Sequence, residues 1–230
     1  MTFLTIGHRG VMGVEPENTL RSYLRAERSG MDAIALDLRL SKDGVLVAVH
    51  DPEVDRTTDG SGAVADLTLA ELRGLDAGQG ERVPVFEEVL DAVRSPLHAF
   101  VADRTVAGVL AELILRRDLV ARVEIASAQE EVLAEAARRV PGVRTTLFAH
   151  SPDDGTGTVV DRAVAAGAAT IALDIHRISL ETVEAAHTAG LRVTGLAVNT
   201  LDRLRLARAL GLDGVATDFP EIRSTGRFTA

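Results

Sequence analysis

The chain has 230 residues, a mass of 24.4 kDa and no cysteine, which excludes thiol catalysis and disulfide cross-links. It is 46% hydrophobic and 26% charged, the balance of an ordinary globular protein long enough to bury its own core. Its formal charge of −9 argues against a general nucleic-acid-binding surface, so an anionic substrate would need a local basic pocket.

The first residues, Met1-Thr2-Phe3-Leu4-Thr5-Ile6, lack the basic start and long apolar stretch of a secretion signal, and the expectation is a cytoplasmic protein. No apolar run is long enough to suggest a membrane span. From there, short β-rich runs alternate with amphipathic stretches. Strands are predicted over Phe3–Arg9, Ala33–Leu40, Leu97–Asp103, Arg122–Ser127, Val143–Ala149, Ala169–Ile175, Arg192–Val198 and Gly214–Asp218. Helices between them include Val85–Arg94, Val106–Arg117, Gln129–Arg139, Leu180–Ala189 and Leu201–Leu210, and Gly30, Gly190 and Gly211 supply stop signals. Repeated α-then-β order demands a parallel sheet, and eight such strands suit closure into a TIM-type (β/α)8 barrel forming one α/β domain over residues 1–230. A doubly wound sheet is the main competitor, but no Gly-x-Gly-x-x-Gly follows the first strand to support dinucleotide binding.

One segment breaks the alternation. Ala33–Leu40 and Val45–His50 are separated only by Ser41-Lys42-Asp43-Gly44, too short for a parallel crossover, so the two runs should form an antiparallel hairpin. Simple register sets Asp37 opposite Ala48 and Ala35 opposite His50, returning His50 to the barrel end where the first strand delivers His8. The Gly-, Asp- and Thr-rich stretch 51–84 is predicted to be an insertion over the barrel mouth.

His8 and Arg9 end a strand and meet Gly10, the place where barrels put functional residues. Histidine passes protons near neutral pH, arginine grips phosphate or carboxylate, and His50 at the same rim makes an acid–base pair. For a lone His-Arg-Gly, a core histidine and a surface salt bridge are the readier explanation, since the motif is short. Four other histidines, His98, His150, His176 and His187, have no ligand-like spacing and are read as structural or surface, as are Asp174 and His176 at a strand end. Asp153-Asp154-Gly155-Thr156-Gly157 is read as a loop, since it lacks the later ligands of a calcium motif.

Taken together, His8-Arg9-Gly10, Pro16-Glu17-Asn18-Thr19, Lys42-Asp43-Gly44, His50-Asp51, Asp55-Arg56-Thr57-Thr58-Asp59-Gly60, Val83-Pro84-Val85-Phe86-Glu87-Glu88 and Gly214-Val215-Ala216-Thr217-Asp218 resemble the glycerophosphodiester phosphodiesterase family, in order and spacing along the chain. The resemblance implies hydrolysis of a small-molecule glycerophosphodiester to glycerol 3-phosphate and an alcohol. It makes His8 and His50 the catalytic pair, and Arg9, Glu17, Lys42 and Arg104 substrate-binding. It makes Asp37 a ligand of Mg²⁺ or Ca²⁺.

The sequence also departs from the family pattern. The second strand's Glu-x-Asp is Ala35-Leu36-Asp37 here. For the next strand's apolar-Glu-apolar-Lys, Val101-Ala102-Asp103-Arg104 is the preferred match, with Ala102 for the glutamate, while the other register turns Asp103 inward. Ala128 and Leu196-Ala197-Val198-Asn199 replace aromatic positions, predicting a smaller-walled and less aromatic pocket. Losing two ligand glutamates leaves a poor calcium site, and the alternative expectation is a catalytically impaired phosphoester-binding relative.

Overall fold

The computed structural model describes residues 3–150, 152 and 158–222. Among them, eight parallel strands close into a barrel: β1 (Leu4–Gly7), β2 (Ala33–Leu40), β4 (Leu97–Val101), β5 (Val123–Ser127), β6 (Thr145–Ala149), β7 (Thr170–Asp174), β8 (Arg192–Leu196) and β9 (Gly214–Thr217). Each lies within two residues of its predicted bounds. The ring closes where β1 pairs with both β9 (Gly7 beside Thr217) and β2 (Gly7 beside Ile34). Helices α1 (Leu20–Arg28), α3 (Phe86–Ala92), α4 (Arg104–Arg116), α5 (Glu130–Arg139), α6 (Val159–Ala165), α7 (Leu180–Thr188) and α8 (Leu201–Ala209) connect successive barrel strands, and a single turn, α2 (Leu69–Leu72), lies in the insertion. No described helix is long and apolar enough to cross a membrane.

The apolar side chains between strands and helices fall into two large clusters. One gathers around β2, β4, β5 and α4, with Ile34, Leu36, Leu97, Leu110 and Ile114 buried at its centre. The other gathers around β6 to β9 and α6 to α8, with Leu147, Ile171, Leu173, Val193 and Val215 buried at its centre. Gly30, Gly190 and Gly211 follow helices at positive φ (75°, 79° and 79°), the left-handed turn that lets each chain leave its helix.

The hairpin explains the mouth of the barrel. Strand β3 (Leu46–Ala48) runs antiparallel to the end of β2, with Leu38 opposite Ala48 and Leu40 opposite Leu46. The register is therefore one residue from the predicted one: Asp37 faces Val49, whose amide donates to the Asp37 carbonyl at 3.1 Å. β3 occupies the edge of β2 that β1 vacates after Gly7, so the end of the hairpin arrives beside the residues that follow β1. The segment after it carries its own small apolar cluster, including Val54, Val64, Leu72 and Val83, packed on Val47 and Val49. The Asp153–Gly157 loop lies outside the described residues.

Candidate active site

A cavity of about 540 Å³ opens at the C-terminal end of the barrel strands and runs down its interior. His8, Arg9, Asp37 and His50 line its upper part, so the structure brings four of the sequence-predicted residues together.

The turn after β1 has two glycines for steric reasons. A Cβ on Gly7 would meet the Gly10 carbonyl oxygen at 2.3 Å, and one on Gly10 would meet Ser22 Oγ at 2.2 Å. Arg9 between them takes a left-handed φ of 49°, held by Asn18 N–H and Ser22 Oγ, which donate to its carbonyl at 3.1 and 3.0 Å. Thr19 caps α1, accepting from Ser22 N–H at 3.2 Å, and this fixes the Pro-Glu-Asn-Thr turn against the site. Asn18 then donates to Asp37 Oδ2 at 2.9 Å, while its own oxygen accepts from the Asp37 amide and from the buried Tyr23 hydroxyl.

Each histidine has an aspartate behind it. His8 Nδ1 lies 2.7 Å from Asp218 Oδ1, and Asn199 donates to the other Asp218 oxygen at 2.5 Å. Burial opposes ionisation of Asp218, but the His8 bond and charge, the Asn199 amide and Arg9 outweigh it and hold the carboxyl below its usual range. His50 Nδ1 lies 2.6 Å from Asp51 Oδ1. The Arg56 hydrogen bond, helped by His50 and opposed by partial burial, holds the Asp51 carboxyl down at about 2. An ionised carboxylate only accepts, so in both pairs Nδ1 carries the proton and Nε2 is left for the cavity. The His50 carbonyl is also pinned by Arg39, which donates from Nε at 2.9 Å and Nη2 at 2.5 Å.

Glu17 does not face the cavity as a free carboxylate. Arg9 Nη1 donates to it at 2.8 Å and Arg56 grips it through both terminal nitrogens at 2.7 and 2.9 Å. Burial favours its neutral form, yet these two guanidinium groups prevail and hold its carboxyl below the ordinary value. Arg56 also donates to Asp51 at 2.5 Å, clasping the insertion to the turn after β1. Arg9 Nε is buried 3.1 Å from Asp37 Oδ2, close enough for an ion pair but without an aligned hydrogen bond.

Lys42 and Arg104 are not brought to the cavity. Lys42 stands exposed at the hairpin tip, where its amide donates to the Leu67 carbonyl and its charge lies near Glu71. Strand β4 ends at Val101, Asp103 caps α4 through bonds from Thr105 and Val106 amides, and Arg104 is the first helical residue, exposed. A strand face shared by Ala102 and Arg104 therefore does not exist. The residue level with Asp37 on β4 is Phe100, which lines the cavity, so apolar-Glu-apolar-Lys corresponds to Ala99-Phe100-Val101-Ala102.

This register decides whether the residues fit a divalent cation. Ala35 and Phe100 face the cavity where the resemblance calls for two ligand glutamates, and Asp37 is already held by Asn18 and Arg9. Among the described residues no group of three or more His, Asp or Glu side chains is placed to hold a metal ion. Ca²⁺, which takes six to eight oxygen donors, does not fit this donor set. Asp37 is the one carboxylate of the implied ligand set left for Mg²⁺, which can be held by one or two carboxylates with waters and phosphate.

The remaining walls also differ from expectation. Phe100 and Phe148 meet edge to face at 5.8 Å, and Phe148 meets His150 likewise at 5.0 Å, so the cavity has an aromatic wall that the residues after β5 and β8 did not announce. His98 and His150 both line the cavity, at its floor and rim; burial pushes the His98 imidazole toward its neutral form, despite the opposing pull of Glu124. His176 and His187 are exposed, the latter paired with Asp213 at 3.0 Å. Asp174 lies on the rim beside Arg177, its Oδ1 accepting from the His176 amide.

Residues 8–130 match the glycerophosphoryl diester phosphodiesterase family. The chain is 30% identical to the glycerophosphodiester phosphodiesterase of Bacillus subtilis over 252 aligned positions, covering 95% of this chain and 84% of that one. Its fold is similar to an Oleispira antarctica phosphodiesterase solved in complex with the product sn-glycerol-3-phosphate, with a TM-score of 0.88 and 26% identity over 96% of this chain and 95% of that one. It is similar also to a glycerophosphodiester phosphodiesterase from Agrobacterium tumefaciens, with a TM-score of 0.83 and 26% identity over 98% of this chain and all of the other (100%).

Proposed function

Because this chain belongs to the glycerophosphoryl diester phosphodiesterase family, we propose that it hydrolyses glycerophosphodiesters to glycerol 3-phosphate and an alcohol, with His8 and His50 as the acid–base pair. The observation that carries this reading is the matched pair of Asp-backed histidines lining one cavity.

With a phosphodiester between them, one neutral imidazole takes a proton from the attacking water as its oxygen–phosphorus bond forms. The other, as imidazolium, gives its Nε2 proton to the departing alkoxide as the second oxygen–phosphorus bond breaks. Asp218 and Asp51 hold the rings in the tautomer this needs. Arg9 is the guanidinium nearest Asp37 on the cavity wall, and it supplies fixed positive charge to the phosphoryl oxygens. No step is assigned to a divalent cation, since of the implied ligand set only Asp37 is present, with Ala35 and Phe100 at the other two places.

The test is a coupled assay for glycerol 3-phosphate release from glycerophosphodiesters, run in chelator and again with Mg²⁺, Mn²⁺ or Ca²⁺. Turnover well above a His8→Ala control is expected in both conditions. Phosphodiester binding with turnover no greater than that control would leave the second reading, a phosphoester-binding relative, which the missing ligands Ala35 and Phe100 favour.

A further inference from the structure

We propose that the cavity inside the barrel takes an alkyl chain carried by one of the two alcohols of the phosphodiester; this rests on the phosphodiesterase reading above. The interior of an eight-stranded barrel is just wide enough for its side chains to fill it, commonly with bulky branched residues. Here the inward positions of β2, β5, β7 and β9 are Ala35, Ala126, Ala172 and Ala216, and the space they leave is continuous with the site at His8 and His50. Ile6, Leu196 and the Phe100–Phe148 pair complete the wall. Thr146, Phe148 and His150 line it from floor to rim, and four residues of strand give a depth of about 13 Å.

A phosphate held at the rim has two ester substituents. One can point to solvent past His150, and the other must enter this space. The hydroxyls of an unsubstituted glycerol would exchange water for walls made mostly of alanine, leucine and phenylalanine, where Thr146, Thr194, His98 and His150 are the few polar groups. This disfavours it as the inner group. The floor sets the length limit: Thr146 donates to Glu124, which also faces Arg144 at 3.4 Å and Arg192 at 3.5 Å, and His98 is paired in register with Glu124 on the neighbouring strand. That buried polar plug closes the lower end. The residue changes that unmake the cation site, Ala35 and Phe100, are thus the ones that make the cavity apolar.

Two series test this, glycerophospho-n-alkanols and 1-alkyl glycerophosphodiesters, each from ethyl to decyl and kept below micelle-forming concentrations. In one of them kcat/KM should rise about fourfold for each methylene that enters the cavity and then level off. In Ala126→Leu and Ala172→Leu, on separate strands and checked by thermal melts, the plateau should arrive at shorter chains. A flat dependence in both series would overturn the proposal while leaving the phosphodiesterase reading intact. If none of the compounds is turned over, that reading fails, and the chain proposal is judged by thermal shift with the same compounds. Stabilisation that grows with chain length would support it, and length-independent stabilisation would overturn it.

Discussion

His8 and Asp218 stand 210 positions apart in the chain and 2.7 Å apart in the barrel. The strands that carry them, β1 and β9, are neighbours with Gly7 beside Thr217, so the next residue of each reaches the mouth at the same height. Asp218→Asn keeps the shape but removes the obligate acceptor that fixes Nδ1–H. We expect kcat to fall on the order of 10²- to 10⁴-fold, the range of general acid–base catalysis, with KM changing much less. A kcat within threefold of the parent would remove Asp218 from the mechanism.

Lys42 and Arg104 were expected at the phosphate and are found at the hairpin tip and on the first turn of α4, both exposed. Lys42→Ala and Arg104→Ala should each leave kcat/KM within about twofold, whereas Arg9→Ala should lower it by at least the tenfold that 1.4 kcal/mol represents. Steady-state kinetics on one substrate compare all three.

The strand register makes the missing cation site restorable at defined positions. Phe100 is level with Asp37 and Ala35 is two residues before it on the same face. Ala35→Glu with Phe100→Glu should therefore create a calcium site measurable by calorimetry, with Kd about 10⁻⁵ to 10⁻³ M. Ala35→Glu with Ala102→Glu should not, because Ala102 lies past the end of β4. Equal calcium binding by the parent chain would refute the register argument.

Asp51, Glu17 and Asp218 all have carboxyls held below their ordinary range, at about 2 for Asp51. In the unfolded chain such groups titrate near about 4. Their stabilisation is therefore complete above that pH and is lost as pH falls through the folded values. Arg56, which binds both Glu17 and Asp51, is half exposed, so Arg56→Ala should cost only about 1 kcal/mol, a few degrees in Tm. The gap in Tm between parent and variant should be constant above about pH 5 and close toward pH 2. A gap that persists unchanged to the acid end would mean that Arg56 contributes packing rather than charge.

The barrel was legible because its signal is repetitive. Eight apolar runs separated by amphipathic stretches allow few arrangements, and the short Lys42-Asp43-Gly44 turn forces a hairpin. What escaped was whatever depends on a one-residue choice or on closure. Val101-Ala102-Asp103-Arg104 alternates like a strand, but Asp103 is a better helix cap than a strand residue, and the cap won. Asp218 ends the last predicted strand, yet only the pairing of β9 with β1 shows which histidine it serves. Asp51 was easier to find, being next to His50. Phe100 and Phe148 look like ordinary core aromatics until the surrounding alanines reveal that they border open space.

The two apolar clusters behind the barrel wall divide the molecule into two half-shells, one built from the earlier strands and one from the later. His8, Arg9, Asp37 and His50 belong to the first half, Asn199 and Asp218 to the second, and the aspartate behind His8 crosses the seam between them. Acid–base competence is thus a property of the docked halves, acquired at the step with the greatest sequence separation and the largest loop-closure entropy. His8 and Asp218 meet only where β1 and β9 pair, at the seam that closes the ring.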